Sequence, residues 1–233
     1  SPRYLAALQR YRAALVRRNA TLREVARRGH TPARIAVWEP ALAESAATLW
    51  CERVRWTRWA AERMAELCSA IGERERVTLR YQSSLSPADD VPDEGDIQTR
   101  MTAALERDRS HDTKRGLTQS GPHRDDLALL LGSHALRAFG SAGQQRTAAI
   151  ALRLLERETL RERTGRAPII LLDDPFAELD SQRSARILDL LAAGEMGQTI
   201  LAVPRDDDVP RAFTMLERRS VRDGVIGEVG GDA

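Results

Sequence analysis

A chain of 233 residues, 42% of them hydrophobic, is long enough for one or two domains around a core of ordinary size. Thirty-six basic side chains against 34 acidic ones give a formal net charge of +2, so bulk electrostatics argue neither for nor against a nucleic-acid partner. No apolar run approaches the roughly 18 residues of a membrane span, no secretory signal opens the chain, and Cys51 and Cys68 have no His or Cys at metal-ligand spacing, which leaves reduced thiols in a cytoplasmic protein.

From the start, Tyr4, Leu8, Tyr11, Leu15, Leu22 and Val25 recur at helical spacing as a narrow apolar seam, and Gly29-His30-Thr31-Pro32 ends the helix. A second pattern, Leu42, Ala46, Leu49, Trp56, Ala60, Leu67 and Ile71, opens after Pro40 and continues for about 30 residues, or about 45 Å. Two long helices joined by a short turn are expected to lie antiparallel. Trp50, Trp56 and Trp59 sit at helical spacing and read as core, with stacking on a single-stranded base as the lesser alternative. Val77, Leu79 and Tyr81 alternate as a strand, and Ser84 to Asp96 reads as an acidic loop. Ile97, Met101, Ala104 and Leu105 then restore a helical stripe up to about Asp108, and a boundary between the arm and a second unit falls near Ser110.

Beyond that point Gly132-Ser133, between Leu127–Leu131 and His134–Phe139, is a two-residue hairpin signal. A helix is expected from Gln144 to about Arg163, a buried strand at Ile169–Leu172, a helix from Ser181 to about Ala192 and a strand at Thr199–Val203. That alternation predicts an α/β fold with a largely parallel sheet, mixed at its edge by a final hairpin at Asp223-Gly224.

Charge is unevenly placed. Residues 1–80 hold sixteen Arg against eight Glu, and residues 81–112 hold three Arg against eight acids. With Lys114 as the one lysine, positive charge is almost wholly guanidinium, whose planar fork suits phosphate. Arg17, Arg18, Arg27 and Arg28 are the candidate DNA contacts on the first helix, a solvated helix face being an equal alternative.

Two segments carry the chemistry. Asp173 and Asp174 follow Ile169-Ile170-Leu171-Leu172, so a strand delivers both carboxylates at its carboxyl end, where ligands collect in open α/β sheets. Asp173 is placed to hold Mg²⁺, and Asp174 to orient or deprotonate a water attacking a γ-phosphate. A helix cap or solvated turn is the plain structural alternative. Ser141-Ala142-Gly143-Gln144-Gln145-Arg146 is a small-residue turn opening a helix, and so offers backbone N–H groups and a positive dipole end to phosphate. Nowhere does G-x-x-x-x-G-K-[ST], the loop that wraps nucleotide phosphates, occur.

These segments, together with Thr118-Gln119-Ser120-Gly121-Pro122-His123-Arg124-Asp125-Asp126-Leu127 upstream and Glu178-Leu179-Asp180 downstream, resemble the DNA replication and repair protein RecF family, over nearly the whole chain. The resemblance implies one half of an ABC-type (SMC/RecF-like) ATPase head at residues 111–233, with signature motif, Walker B and D-loop, preceded by a helical arm (lobe II-like) at residues 1–110. It implies ATP and Mg²⁺ as cofactors, with ATP sandwiched between two heads of an ATP-dependent homodimer. Ser141, Gly143 and Gln144 then address the partner's nucleotide, and Asp180 lies in the loop between the two sites. It further implies a weakly hydrolysing, bacterial, cytoplasmic and nucleoid-associated protein of recombinational repair and replication restart, which binds duplex or gapped DNA and assists recombinase loading with mediator proteins. The start at Ser1 and the missing Walker A predict a C-terminal part of a longer protein that is inactive alone. Ala142 departs from the family's usual Gln, and Gln198–Pro204 has no hydroxyl or imidazole after the strand where a γ-phosphate sensor is expected. A noncatalytic DNA- and protein-binding scaffold, or another ABC-type DNA-repair or chromosome ATPase, is the alternative. The sequence assigns no chemistry to His123 and Arg124; an Arg at a strand edge beside Asp125 and Asp126 is more often part of an ion pair, with a nucleotide or DNA contact as the lesser alternative.

Overall fold

The computed structural model describes residues 1–28, 33–83, 85, 93–193, 197–209 and 216–228. The expected helix stop at 29–32 and most of the acidic loop at 84–96 lie outside them. The order is α1 (Pro2–Arg28), α2 (Ala33–Ala36), α3 (Glu39–Ile71), β1 (Val77–Gln82), α4 (Glu94–Arg115), β2 (Asp126–Leu131), β3 (His134–Ala135), α5 (Leu136–Phe139), α6 (Ala142–Thr164), β4 (Ile170–Asp173), α7 (Ser181–Ala192), β5 (Thr199–Ala202), a 3₁₀ turn (Asp206–Asp208), β6 (Arg219–Arg222) and β7 (Val225–Glu228).

α3 begins with Pro40 in its first turn, where a missing N–H costs nothing, and runs 33 residues to Gly72. Its first half packs with α1 and α4 around Tyr11, Leu42, Leu49, Met101 and Leu105. Its second half joins a different core, in which Met64, Leu67 and Ile71 meet Val77 and Leu79 of β1, Leu154 and Leu155 of α6, and Ile187 and Leu188 of α7. One helix therefore serves both cores. Trp50 is fully buried, as its spacing predicts, and Trp56 is half-buried with its Nε1 donating to Thr159 Oγ1 at 3.0 Å. Trp59 departs from the core reading, being 40% exposed.

The α/β class holds, with parallel and antiparallel pairings in separate sheets. β1-β2-β3 is antiparallel, β4-β5 parallel and β6-β7 antiparallel. Among the described strands β4 and β5, joined through α7, are the parallel pair; tight turns at Gly132-Ser133 and Asp223-Gly224 reverse the chain between β2 and β3 and between β6 and β7, and β1 and β2 are antiparallel although α4 lies between them. β4 is not buried on both faces. Ile170 and Leu172 point into the core, whereas Ile169 and Leu171 are 62% and 71% exposed, the period-two alternation of a strand covered on one side.

The expected boundary at Ser110 falls inside α4, which continues to Arg115 and ends at Gly116. β1, assigned by sequence to the arm, pairs along its full length with β2 of the second unit. A break at that position is therefore absent; the division between the two cores runs through α3.

The segment after α4 is locked onto the arm. Gly121 has φ +127°, and a Cβ there would lie 2.5 Å from Tyr11 Oη and 2.8 Å from Met101 Cε. His123 Nε2 lies 3.0 Å from the Thr118 carbonyl and Nδ1 lies 2.6 Å from Tyr11 Oη. A carbonyl only accepts, so Nε2 carries the proton and Nδ1 accepts from the tyrosine. His123 is thus structural, and Arg124 donates to Gln119 Oε1 at 3.1 Å. Among the described residues no helix is long and apolar enough to cross a membrane.

Candidate functional site

α6 opens at the Ser-x-Gly-Gln-Gln-Arg turn, two residues earlier than its apolar pattern suggests. Ser141 is the N-cap: its Oγ accepts the Gln144 N–H at 3.2 Å, and Gln144 Oε1 accepts the Ser141 N–H at 2.9 Å, forming a capping box. The Gln144 N–H is thereby committed to the cap. Those of Ala142 and Gly143 lie in a first turn that has no intrahelical acceptors, at the positive end of a 23-residue helix.

Gly143 allows a close approach. A Cβ at this position would sit 3.0 Å from the Glu178 carbonyl oxygen, so the signature turn lies directly against the backbone of the loop that follows β4. That loop begins with Asp173, the exposed last residue of β4. The Asp174 N–H extends the ladder by one bond to the Ala202 carbonyl at 2.8 Å, after which the backbone turns with φ +45° at Asp174. Left-handed backbone costs a non-glycine residue about 1–2 kcal/mol, so the surrounding structure holds it there. Phe176, buried two residues on, pins the turn into the core. Among the described residues no hydrogen bond reaches either the Asp173 or the Asp174 carboxylate; Asp173 is exposed and Asp174 half-buried.

Asp180 caps α7, its Oδ1 accepting the Arg183 N–H at 2.8 Å. The Arg183 guanidinium turns back to α6, donating to Thr147 Oγ1 at 2.9 Å and to the Gly143 carbonyl at 3.4 Å, and it meets the Glu73 carboxylate at 3.5 Å. Glu73, buried just beyond α3, accepts the Arg74 and Glu75 N–H groups at 3.0 and 3.3 Å and the Gln144 side-chain amide at 3.4 Å. Glu73, Gln144, Asp180 and Arg183 consequently line one cleft, with Arg74 and Arg186 at its rim. Asp173 and Asp174 are not among its lining residues. The expected site residues fall into two groups, a signature group and a carboxylate group, joined by packing.

Sequence reasoning passed over Glu73, Arg183 and the role of Arg146. Arg146 closes the signature motif, yet its guanidinium contacts the carbonyls of Asp173, Asp174 and Pro175 across the molecule, which no spacing rule reveals.

On the arm, Arg17, Arg27 and Arg28 are exposed. Arg17 stacks over the Trp38 ring at 5.3 Å, and Arg28 lies 3.8 Å from Glu24. Arg18 does not fit a DNA contact. It is completely buried, paired with Asp112 at 2.7 Å and Glu39 at 3.1 Å, and donates to Thr118 Oγ1 at 2.8 Å. A signal for this existed, because Tyr4, Tyr11, Arg18 and Val25 share one seven-residue spacing, which puts Arg18 in the apolar seam.

A capped signature turn packed against a loop that carries two carboxylates out of a parallel strand, followed by an aspartate-capped helix, defines the signature and Walker B half of an ABC-type ATPase head. No family model matches the chain. The DNA replication and repair protein RecF of Herpetosiphon aurantiacus is 35% identical over 227 residues, covering 96% of this chain and 57% of that protein, and that of Roseiflexus castenholzii is 37% identical over 223 residues, covering 93% and 56%. Two solved structures, described as the recombination mediator protein RecF-ATPrS and RecF-ATP in the RecFOR pathway, superpose with TM-scores of 0.80 and 0.81 at 28% and 27% identity, over 99% of this chain and 60% and 59% of theirs. Over nearly its whole length the chain is similar in sequence and in fold to RecF proteins. It spans about 57% of the length of the first of these relatives.

Proposed function

We propose that this chain supplies the signature, Walker B and D-loop half of a RecF-type ATPase head that acts on DNA in recombinational repair and replication restart. The observation that carries the reading is the placement, against one another, of the Ala142–Gly143 first turn and the loop bearing Asp173 and Asp174. In this reading the free N–H groups at Ala142 and Gly143, with Ser141 and Gln144 fixing their direction, receive the γ-phosphate of ATP held by a second head, so that nucleotide binding and homodimer formation are one event. Asp180, which caps α7 and pairs with Arg183, is assigned in this reading to the loop between the two sites.

Asp173 fits Mg²⁺ better than a dedicated metal cage. No group of three or more His, Cys, Asp or Glu side chains able to hold a metal occurs among the described residues, and Mg²⁺ is commonly bound through one or two carboxylates together with substrate phosphates. The ion supplies charge neutralisation at the phosphates. Asp174, one residue further, takes the proton of the attacking water or orients it.

The relatives' name, a DNA replication and repair protein, and the structure described as RecF-ATP in the RecFOR pathway support ATP and DNA as ligands and other proteins of that pathway as partners; action at the nucleoid in the bacterial cytoplasm is part of the same proposal. Within the chain, the lobe of α1, α2, α4 and the first half of α3 is the arm, and the exposed Arg17, Arg27 and Arg28 are its candidate phosphate contacts.

The test is Asp174→Asn in the full-length protein that contains this chain. ATP affinity is expected to stay within about twofold and hydrolysis to fall by about 10²–10⁴-fold, with ATP-bound dimers accumulating, because the amide keeps the shape without accepting a proton. Hydrolysis at the wild-type rate sinks the assignment of Asp174, and stable binding to DNA without any ATP dependence favours the noncatalytic scaffold.

A further inference from the structure

Arg146 has a place in the fold that the signature motif's phosphate chemistry does not explain. It lies in the second turn of α6, after Ser141, Gly143 and Gln144, yet its side chain leaves the signature cleft. Its Nη2 donates to the Asp173 carbonyl at 3.3 Å and to the Asp174 carbonyl, and its Nε donates to the Pro175 carbonyl at 3.4 Å. One guanidinium thus grips three consecutive peptide groups of the turn that carries both carboxylates, and the middle one belongs to Asp174, whose φ of +45° an L-residue rarely adopts. A five-donor planar fork is suited to this task, and a single ammonium is not.

The grip is reciprocated. Arg183, from α7 beyond the carboxylate loop, reaches the other way to the Gly143 carbonyl and Thr147 Oγ1 of the signature helix. Between the two arginines, Gly143 lies close against the Glu178 carbonyl, where an added Cβ would sit 3.0 Å from the oxygen. These contacts tie the position of the signature turn to that of the carboxylate loop.

We infer that Arg146 is a positioning residue for hydrolysis: it holds the Asp173–Pro175 turn in its left-handed geometry and ties that geometry to the signature turn, so that engagement of a nucleotide by the signature group sets the aim of Asp174. This rests on the ATPase reading above. It assigns Arg146 no contact with nucleotide, metal or water.

The experiment compares Arg146→Gln, Arg146→Lys and Asp174→Asn in the full-length protein, with ATP hydrolysis, ATP affinity and folded fraction by circular dichroism measured on each. Arg146→Gln is expected to lower kcat by about tenfold or more per folded molecule while KM and ATP affinity stay within about twofold, since a misaimed group costs rate and not ground-state binding. Arg146→Lys, which keeps charge and reach but not the fork, is expected between Gln and wild type. A kcat within twofold of wild type in Arg146→Gln overturns the inference, as does a rate loss in both variants that merely follows the folded fraction. If Arg146→Gln does not fold, Arg146→Lys decides, and wild-type kcat in that variant overturns the inference. Asp174→Asn separates the two failures: unchanged hydrolysis there removes the ATPase reading itself, whereas its loss beside an unaffected Arg146→Gln removes only the positioning role.

Discussion

Arg18 and Asp112, 94 positions apart in sequence, form an ion pair at 2.7 Å with both side chains fully buried. Glu39, Thr118 and the Leu105 carbonyl also accept from the guanidinium, so α1, α3, α4 and the segment leading to His123 converge on one charge. Removing one member of such a group leaves the others charged and uncompensated away from water.

Arg18→Ala is therefore expected to destabilise the protein by about 3–5 kcal/mol, whereas Arg17→Ala, on the exposed side of the same helix, costs about 0.5 kcal/mol or less. Urea unfolding of both variants checks this. A difference below about 1 kcal/mol between them places the energy of the cluster elsewhere.

The same cluster gives a pH dependence. Burial pushes the Glu39 carboxyl upward, but hydrogen bonds from Arg109 and Arg18 outweigh it and hold the group below its ordinary value of 4.5. A carboxylate whose folded value is depressed contributes stability above its unfolded value and loses it as pH falls through the folded one. Stability should thus decline below about pH 4.5, and urea midpoints from about pH 6 to pH 3 should fall less steeply in Glu39→Gln, which is already weakened at neutral pH. Parallel pH profiles in wild type and variant count against this linkage.

Two glycines with positive φ separate conformational cost from crowding. Gly165, at φ +67°, has no atom near a would-be Cβ, so Gly165→Ala is expected to cost about 1 kcal/mol from backbone alone. Gly121→Ala adds the collision with Tyr11 Oη, which His123 fixes, and with Met101 Cε, raising the cost to about 2–4 kcal/mol. Equal losses in thermal unfolding mean that Tyr11 and Met101 move aside.

On the arm, Gln at Arg17, Arg27 and Arg28 together is expected to weaken DNA binding by the full-length protein across sequences. The log–log salt slope should fall by about 0.9 for each phosphate that the protein no longer neutralises. An unchanged slope assigns these arginines to a solvated face and moves the DNA surface to the head.

Local signals carried much of this fold. The strand at Val77, Leu79 and Tyr81 and the hairpin turns at Gly132-Ser133 and Asp223-Gly224 each depend on neighbours within a few residues, and each stands in the structure as read. What failed needed distant partners. The arginine at position 18 is an ordinary helix-surface residue until Glu39 and Asp112 are brought to it, and the break expected at Ser110 disappears because α4 runs through it and β1 finds its partner in β2. At the site, the motif residues were legible as chemistry, but Glu73, Arg146 and Arg183 act through distant partners, from 27 positions away for Arg146 and Asp173 to 110 for Glu73 and Arg183 (183 minus 73), and no periodicity encodes them.

α3 is one unbroken helix of 33 residues, about 50 Å long, whose first half is bolted into the arm and whose second half is bolted beneath the signature helix. It behaves as a strut and not as a hinge. With no break along its length, a displacement at its Gly72 end, where Glu73 touches Gln144 and Arg183, would reach the far tip of the arm as a tilt of the whole rod.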